Sequence, residues 1–222
     1  MKHLLLIITL ILTSILRGSS QTRDRLITKN FQFENGIYAT FSDWQHNKPT
    51  YRWDSIETTF AVNPTTFLMQ MEALRVKKSA KTVEIDSIWG VVVDGIPYMR
   101  LPRKEISKPT ACFAGFVLRG AICYFQYETS VQTKVPITAY IPETGEAFMT
   151  RNVSNKTPVV KEKLMRYETG EIMELNLNNF KTLIANDTDL LTTVNGLKPN
   201  EIKEKLFKCI LIYNDRNPVF VK

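Results

Sequence analysis

The chain has 222 residues, of which 44% are hydrophobic and 23% charged, with a formal net charge of +7. This composition excludes a chain disordered beyond its ends, and the length leaves room for one large domain or two small ones. Two histidines and three cysteines exclude a histidine-rich metal centre and a dense disulfide framework.

The first element in chain order is a leader. Lys2 gives a basic start, Leu4 to Leu16 form an apolar run, and Gly18 and Ser20 are small residues at signal-peptidase spacing. Residues 1–20 are therefore expected to be a signal peptide cleaved between Ser20 and Gln21. The apolar run falls short of the ~20 residues a membrane span needs, and no later segment reaches that length. The first cysteine is Cys112, so a lipid anchor at the cleavage point is not expected. Loss of the leader removes Lys2, Arg17 and no acid, taking the net charge from +7 to +5. The expected address is periplasmic or extracellular. The basic clusters Arg75, Lys77, Lys78, Lys81 and Arg100, Arg103, Lys104, Lys108 read as solvated faces, and no nucleic-acid module accompanies them.

Gln21–Glu34 is polar and reads as a linker or a peripheral strand. Thr40 and Asp43 stand at capping-box spacing, which predicts a short helix after Thr40, ended by Pro49, with Phe41 and Trp44 on one face. Tyr51–Ile56 alternates and predicts a strand. Phe67–Val76 fits either period, with strand preferred because its neighbours are strands.

Two hairpins follow. Ile88–Val93 turns through Asp94-Gly95 into Ile96–Leu101, a dipeptide suited to a turn that needs φ > 0 twice. Ala111–Leu118 turns near Arg119-Gly120 into Ala121–Tyr127. A two-residue turn there pairs Leu118 with Ala121, Phe116 with Cys123 and Cys112 with Tyr127. Both faces of that hairpin are apolar, so it should lie between two layers. In this register Cys112 and Cys123 stand roughly 13 Å apart, too far for a disulfide.

The tetrapeptide Glu-Thr-Gly-Glu recurs at Glu143–Glu146 and Glu168–Glu171, with glycine at the left-handed position of a hairpin turn. Arg151–Pro158 between them is the polar segment most like a boundary loop. Beyond residue 176 the period changes to helical. Asn178 is expected to cap a helix to about Ala185, with Phe180, Leu183 and Ile184 inward. Asp187 should cap a second helix ended by Asn195-Gly196. A longer helix opens at Lys198–Glu201 and runs to about Tyr213, burying Ile202, Leu206, Cys209, Ile210 and Tyr213. Val219–Val221 can add a last strand. The fold class is therefore α+β: antiparallel hairpin-rich sheet with short helices concentrated at the C-terminal end. Residues 21–222 form one domain, with 151–158 as a candidate internal boundary.

Chemistry is sparse. After the leader only His46 remains, flanked by Gln45 and Asn47, and it reads as a surface side chain. No HExxH, GxSxG or Walker sequence occurs. Glu84 and Asp86 share one face of an expected strand, and Glu143, Glu146, Glu168 and Glu171 sit at turn tips. A carboxylate hydrolase would need two such acids facing each other across a cleft. Among the aromatics Tyr38, Phe41, Trp44, Tyr51 and Trp53, the side chains Trp44, Tyr51 and Trp53 are the candidate binding residues, against the alternative that they fill the core.

The ordered pieces Gly36-Ile-Tyr38…Phe41…Pro49, Trp89-Gly90…Asp94-Gly95…Tyr98, Phe116…Gly120…Tyr124-Phe125, Thr169-Gly170 and Tyr213-Asn214…Asn217-Pro218 span most of the mature chain. In these the chain resembles a group of exported Bacteroidetes proteins of unknown function. The resemblance implies a bacterial envelope or secreted setting. It supplies no activity, cofactor or catalytic residue. The expected function is an exported, non-catalytic binding protein of the envelope or secretome, with an envelope glycan or protein as partner. The alternative is a carboxylate-based hydrolase acting on an envelope or host glycan.

Overall fold

The computed structural model describes residues 25–106 and 109–222. The leader and its cleavage pair Ser20–Gln21 lie outside the described residues. In chain order the elements are β1 (Leu26–Ile27), β2 (Gly36–Tyr38), α1 (Phe41–Gln45), β3 (Ile56–Asn63), β4 (Leu68–Val76), β5 (Gly90–Val93), β6 (Ile96–Arg100) and β7 (Ala111–Leu118). They continue with β8 (Ile122–Tyr140), β9 (Ala147–Arg166), β10 (Ile172–Glu174), α2 (Leu177–Leu183), α3 (Thr188–Asn195), α4 (Ile202–Arg216) and β11 (Val219–Phe220). Antiparallel strands dominate, and the later helices are gathered at the C-terminal end.

One sheet runs β10-β9-β8-β7-β6-β5-β2, with β3 and β4 attached off this path. Strand β7 is its fork. Along one edge it pairs with β6, from Tyr98↔Gly115 to Arg100↔Phe113. Along the other edge its first half pairs with β4, from Met71↔Ala111 to Leu68↔Ala114. Its second half pairs with β8, at Phe116↔Phe125 and Leu118↔Tyr124. The sheet thus divides into a β4–β3 wing and a β8–β9–β10 wing. β1 and β11 make a separate small pair.

Local signals account for several elements. Thr40 and Asp43 form a reciprocal capping box on α1. Asp94 and Gly95 both have positive φ, of 50° and 72°, and Val93 pairs with Ile96, so the turn has two residues. Both Glu-Thr-Gly-Glu turns close with the same bond, Gly145 N–H to Ile141 O and Gly170 N–H to Arg166 O, each 2.8 Å. Asp187 caps α3 by accepting from Leu190 N–H at 3.0 Å. Phe67–Val76 resolves as strand β4, β11 forms as expected, and β1 is a peripheral strand.

The core has three parts. The first centres on Trp44, which stacks between Phe33 and Trp89 with ring centroids 5.1 and 4.8 Å away. Phe116 and Tyr167 meet its edges at 5.6 and 5.2 Å. Gln45 fixes the helix to the following turn, donating to Tyr167 O at 2.7 Å while the Tyr167 hydroxyl donates to Gln45 O at 3.1 Å. The second part lies under α2–α4 and contains Leu118, Ile122, Tyr124, Phe180, Ile210 and Tyr213. The third lies between β3–β4 and β5, around Ile37, Met69, Leu74 and Phe113. β7 and the first four residues of β8 are buried on both faces, as the hairpin's composition predicts.

Five expectations are corrected. Tyr51–Ile56 is not a strand. Tyr51 makes a single bridge to Ile37, and Trp53–Ser55 is a 3-10 turn in which Ser55 N–H donates to Arg52 O at 3.0 Å. Asp54 and Ser55 favour such a turn, and the Trp53 indole N–H pulls it onto β5 through Val92 O at 2.9 Å. Glu84 and Asp86 do not share a strand face, because Ile85–Ser87 is also a 3-10 turn. The cap of α2 is Asn176, two residues before Asn178.

The β7–β8 turn is longer than two residues, because Leu118 pairs with Tyr124 rather than with Ala121. The Asn214 side chain of α4 occupies that edge. Its Nδ2 donates to Ile122 O and its Oδ1 accepts from Ile122 N–H, both at 2.8 Å. Finally, 151–158 is no loop but the middle of β9, laddered to β8 from Ser130↔Pro158 through Ile137↔Arg151. Alternating Val131, Thr133, Val135 and Ile137 make β8 a template that overrides the turn-like composition of its partner. No disulfide links the three buried cysteines.

Candidate functional site

The expected aromatic triad does not assemble. Trp44 has 0% exposure and is the centre of the first core. Tyr51 and Trp53 are half-buried and pack instead against the third core. Trp53 lies 5.1 Å from Phe60 beside a shallow hollow of about 300 Å³. The three side chains therefore face two different parts of the molecule. His46 is exposed, as expected, and its Nδ1 donates to Ser42 O at 2.8 Å.

The acids are engaged as structural partners. Asp86 receives the Arg103 Nε at 2.9 Å and lies 3.7 Å from Arg100. Glu143, Glu146, Glu168 and Glu171 are exposed at turn tips. Glu105 ties the Arg103–Glu105 turn to the root of β8 and β9. It accepts from the Tyr127 hydroxyl and lies 3.6 Å from both Lys161 and Lys163. Its backbone oxygen accepts from Thr129. Burial pushes the Glu105 carboxyl up, but the Tyr127 hydrogen bond and the two ammonium groups outweigh it and hold the carboxyl below its ordinary value.

A depressed carboxyl stabilises the fold above its unfolded value and loses that contribution as pH falls through its folded value. Glu105→Gln is accordingly expected to lower the unfolding free energy by about 1–2 kcal/mol at neutral pH. It should also flatten the loss of stability as pH falls below the ordinary carboxylate range. Urea unfolding at a series of pH values measures both.

Cys123 is held as a thiol: burial pushes its value up to about 12. Among the described residues no group of three His, Cys, Asp or Glu side chains could hold a metal ion. No described helix is long and apolar enough to cross a membrane.

What the fold does present is an arm. β8 and β9 continue past the body as a two-stranded ribbon from Thr129↔Val159 to Ala139↔Met149, a length of roughly 33 Å. β10 reaches only Lys163–Met165 of β9, and β7 reaches only as far as Phe125 of β8. Neither strand of the arm has a described neighbour on its outer edge.

The two faces of the arm differ. Residues directly opposite in an antiparallel pair point the same way, and alternate pairs point to opposite sides. One face carries Val131, Val135, Ile137, Met149, Val153 and Val159, with Thr133, Arg151, Asn155 and Thr157 between them. Ile137 is 54% exposed, Val153 45% and Val135 44%. The other face carries Gln132, Lys134, Asn152, Ser154 and Lys156. The apolar face has the same parity as Cys123, Phe125, Tyr127 and Met165, all in the first core. It is thus the outward continuation of a buried surface, and none of the described residues forms a layer over it.

Both outer edges of the arm carry a proline, Pro136 on β8 and Pro158 on β9. A proline within a ladder is tolerated where its missing N–H faces the open edge. These residues block extension of the sheet by a further strand, so the available contact is the face. At the root, between the two wings, lies a groove of about 420 Å³ lined by Asn63, Thr66, Leu68, Ile106, Glu128, Thr129, Ser130, Lys156 and Pro158.

The sequence reading missed the arm. Its signal was present in the alternation from Val131 to Ile137 and again at Val153 and Thr157. No family model matches the chain, and neither the curated proteins nor the solved structures contain a significant match to it.

Proposed function

We propose that the chain is an exported, non-catalytic interaction protein that engages a protein partner through the apolar face of its β8–β9 arm. The observation that carries this reading is the exposure of Val135, Ile137 and Val153 on one face of a ribbon that no layer of the described residues covers. A two-stranded ribbon is marginally stable alone, and a contiguous exposed apolar face marks an interaction site. The leader's composition and the resemblance to exported Bacteroidetes proteins support the envelope or secreted setting.

The test shortens the arm. Residues 132–156 are replaced by Asn-Gly, joining Val131 to Thr157, its partner in the ladder. The body should keep its melting temperature within a few degrees. A partner crosslinked to the intact chain in the producing cell should be lost with the shortened one. Turnover of glycan, peptide or ester substrates, abolished by one substitution in the body and kept by the shortened chain, would overturn the reading.

A further inference from the structure

Resting on that reading, we infer that the partner of the arm is a second copy of the same chain, with the two arms packed face to face and antiparallel. The pattern of charge along the arm argues for this pairing. Its tip is acidic, with Glu143 and Glu146. Its root is basic on the apolar face, where Lys161, next after Val159 at the same parity, and Lys163 share one carboxylate, that of Glu105.

A two-fold axis crossing the ribbon at Val135↔Val153 superposes each arm on its partner in the opposite direction. Val135 then faces its own copy, and so does Val153. Val131 faces Ala139, and Met149 faces Thr157. Arg151 faces Asn155, a hydrogen-bonding partner, and not a second arginine. The tip at Glu146 reaches Lys161. In the parallel alternative the four tip acids of the two arms would converge, which disfavours it.

The remaining geometry agrees. Pro136 and Pro158 direct contact to the face and away from the edges. Antiparallel overlap places the two bodies at opposite ends of the paired arms, where they do not compete for space. Arg151 and Asn155 lie in the middle of the apolar face, a costly place for them against lipid. Two strands spaced ~4.8 Å apart make a ribbon ~10 Å wide, so the covered face is roughly 33 by 10 Å per copy. That is well below the size of a standard stable interface, so a weak, transient dimer is expected.

Sedimentation velocity of the purified chain between about 1 and 100 µM should show a monomer–dimer equilibrium. Val135→Asp should weaken it at least tenfold without moving the thermal melt by more than a few degrees. Val135→Cys should crosslink copy to copy with a short bismaleimide. Lys134→Cys, next in sequence but on the opposite face, should not. A monomer at every concentration would overturn the inference, as would a dimer indifferent to Val135→Asp or equal crosslinking from Lys134→Cys. Two outcomes then separate this inference from the broader one. A monomeric chain whose Val135→Cys variant crosslinks to a different protein in the producing cell overturns the second copy and leaves the docking arm standing. Sedimentation of the chain with phosphatidylglycerol-containing vesicles, lost in Val135→Asp, overturns both in favour of a lipid surface.

Discussion

Trp44→Ala is expected to lower the unfolding free energy by about 3–5 kcal/mol, the range for removing a large aromatic from a packed core. Trp44 has no exposed surface, and four aromatic rings meet it within 5.6 Å. Alanine would leave a cavity among Phe33, Trp89, Phe116 and Tyr167, on four separate segments of the chain, so collapse around it requires all of them to move. The indole Nε1 has no hydrogen-bond partner among the described residues. Trp44→Phe therefore keeps most of the packing, removes an unpaired donor, and should cost distinctly less than alanine. Urea denaturation of both variants measures the pair. A ligand platform would give the opposite result: a nearly unchanged unfolding free energy and a lost binding activity.

Asn214→Ala is expected to cost about 2–3 kcal/mol, because it strips both backbone groups of Ile122 of their partners. The carboxamide stands where a neighbouring strand would be, bonding Ile122 N–H and C=O at 2.8 Å each. Gly120 makes the approach possible, since a Cβ there would fall 2.5 Å from Asn214 Cγ. Gly120→Ala should consequently resemble Asn214→Ala in its loss, and the double variant should cost less than the sum of the two. Additive losses in chemical denaturation would contradict this account of how α4 holds the root of β8.

These two residues also show where the fold was legible in the sequence. The capping box at Thr40 and Asp43, the Asp94-Gly95 turn and the Asp187 cap are decided by neighbours three residues away or fewer, and the sequence states them directly. The length of the β7–β8 turn is decided by Asn214, 92 residues distant, and no local pattern reveals it. Arg151–Pro158 looks like a loop by its Asn, Ser and Lys content. It is a strand because β8 lies beside it, and pairing is a property of two segments and not of one.

The candidate site followed the same rule. Aromatic composition around Trp44, Tyr51 and Trp53 cannot separate core from surface, since both need large apolar rings. The alternation from Val131 to Ile137 does indicate a strand with one apolar face. What alternation cannot supply is whether another layer covers that face, and in this chain none of the described residues does.

The most direct measurement of the docking arm places a photo-crosslinking side chain at Val135 or at Lys134 in the full chain and irradiates the producing cell. The two positions are adjacent and point to opposite faces of the same ribbon. The account predicts a discrete crosslinked species from Val135 and none from Lys134. Equal crosslinking from both, or none from Val135, would contradict it.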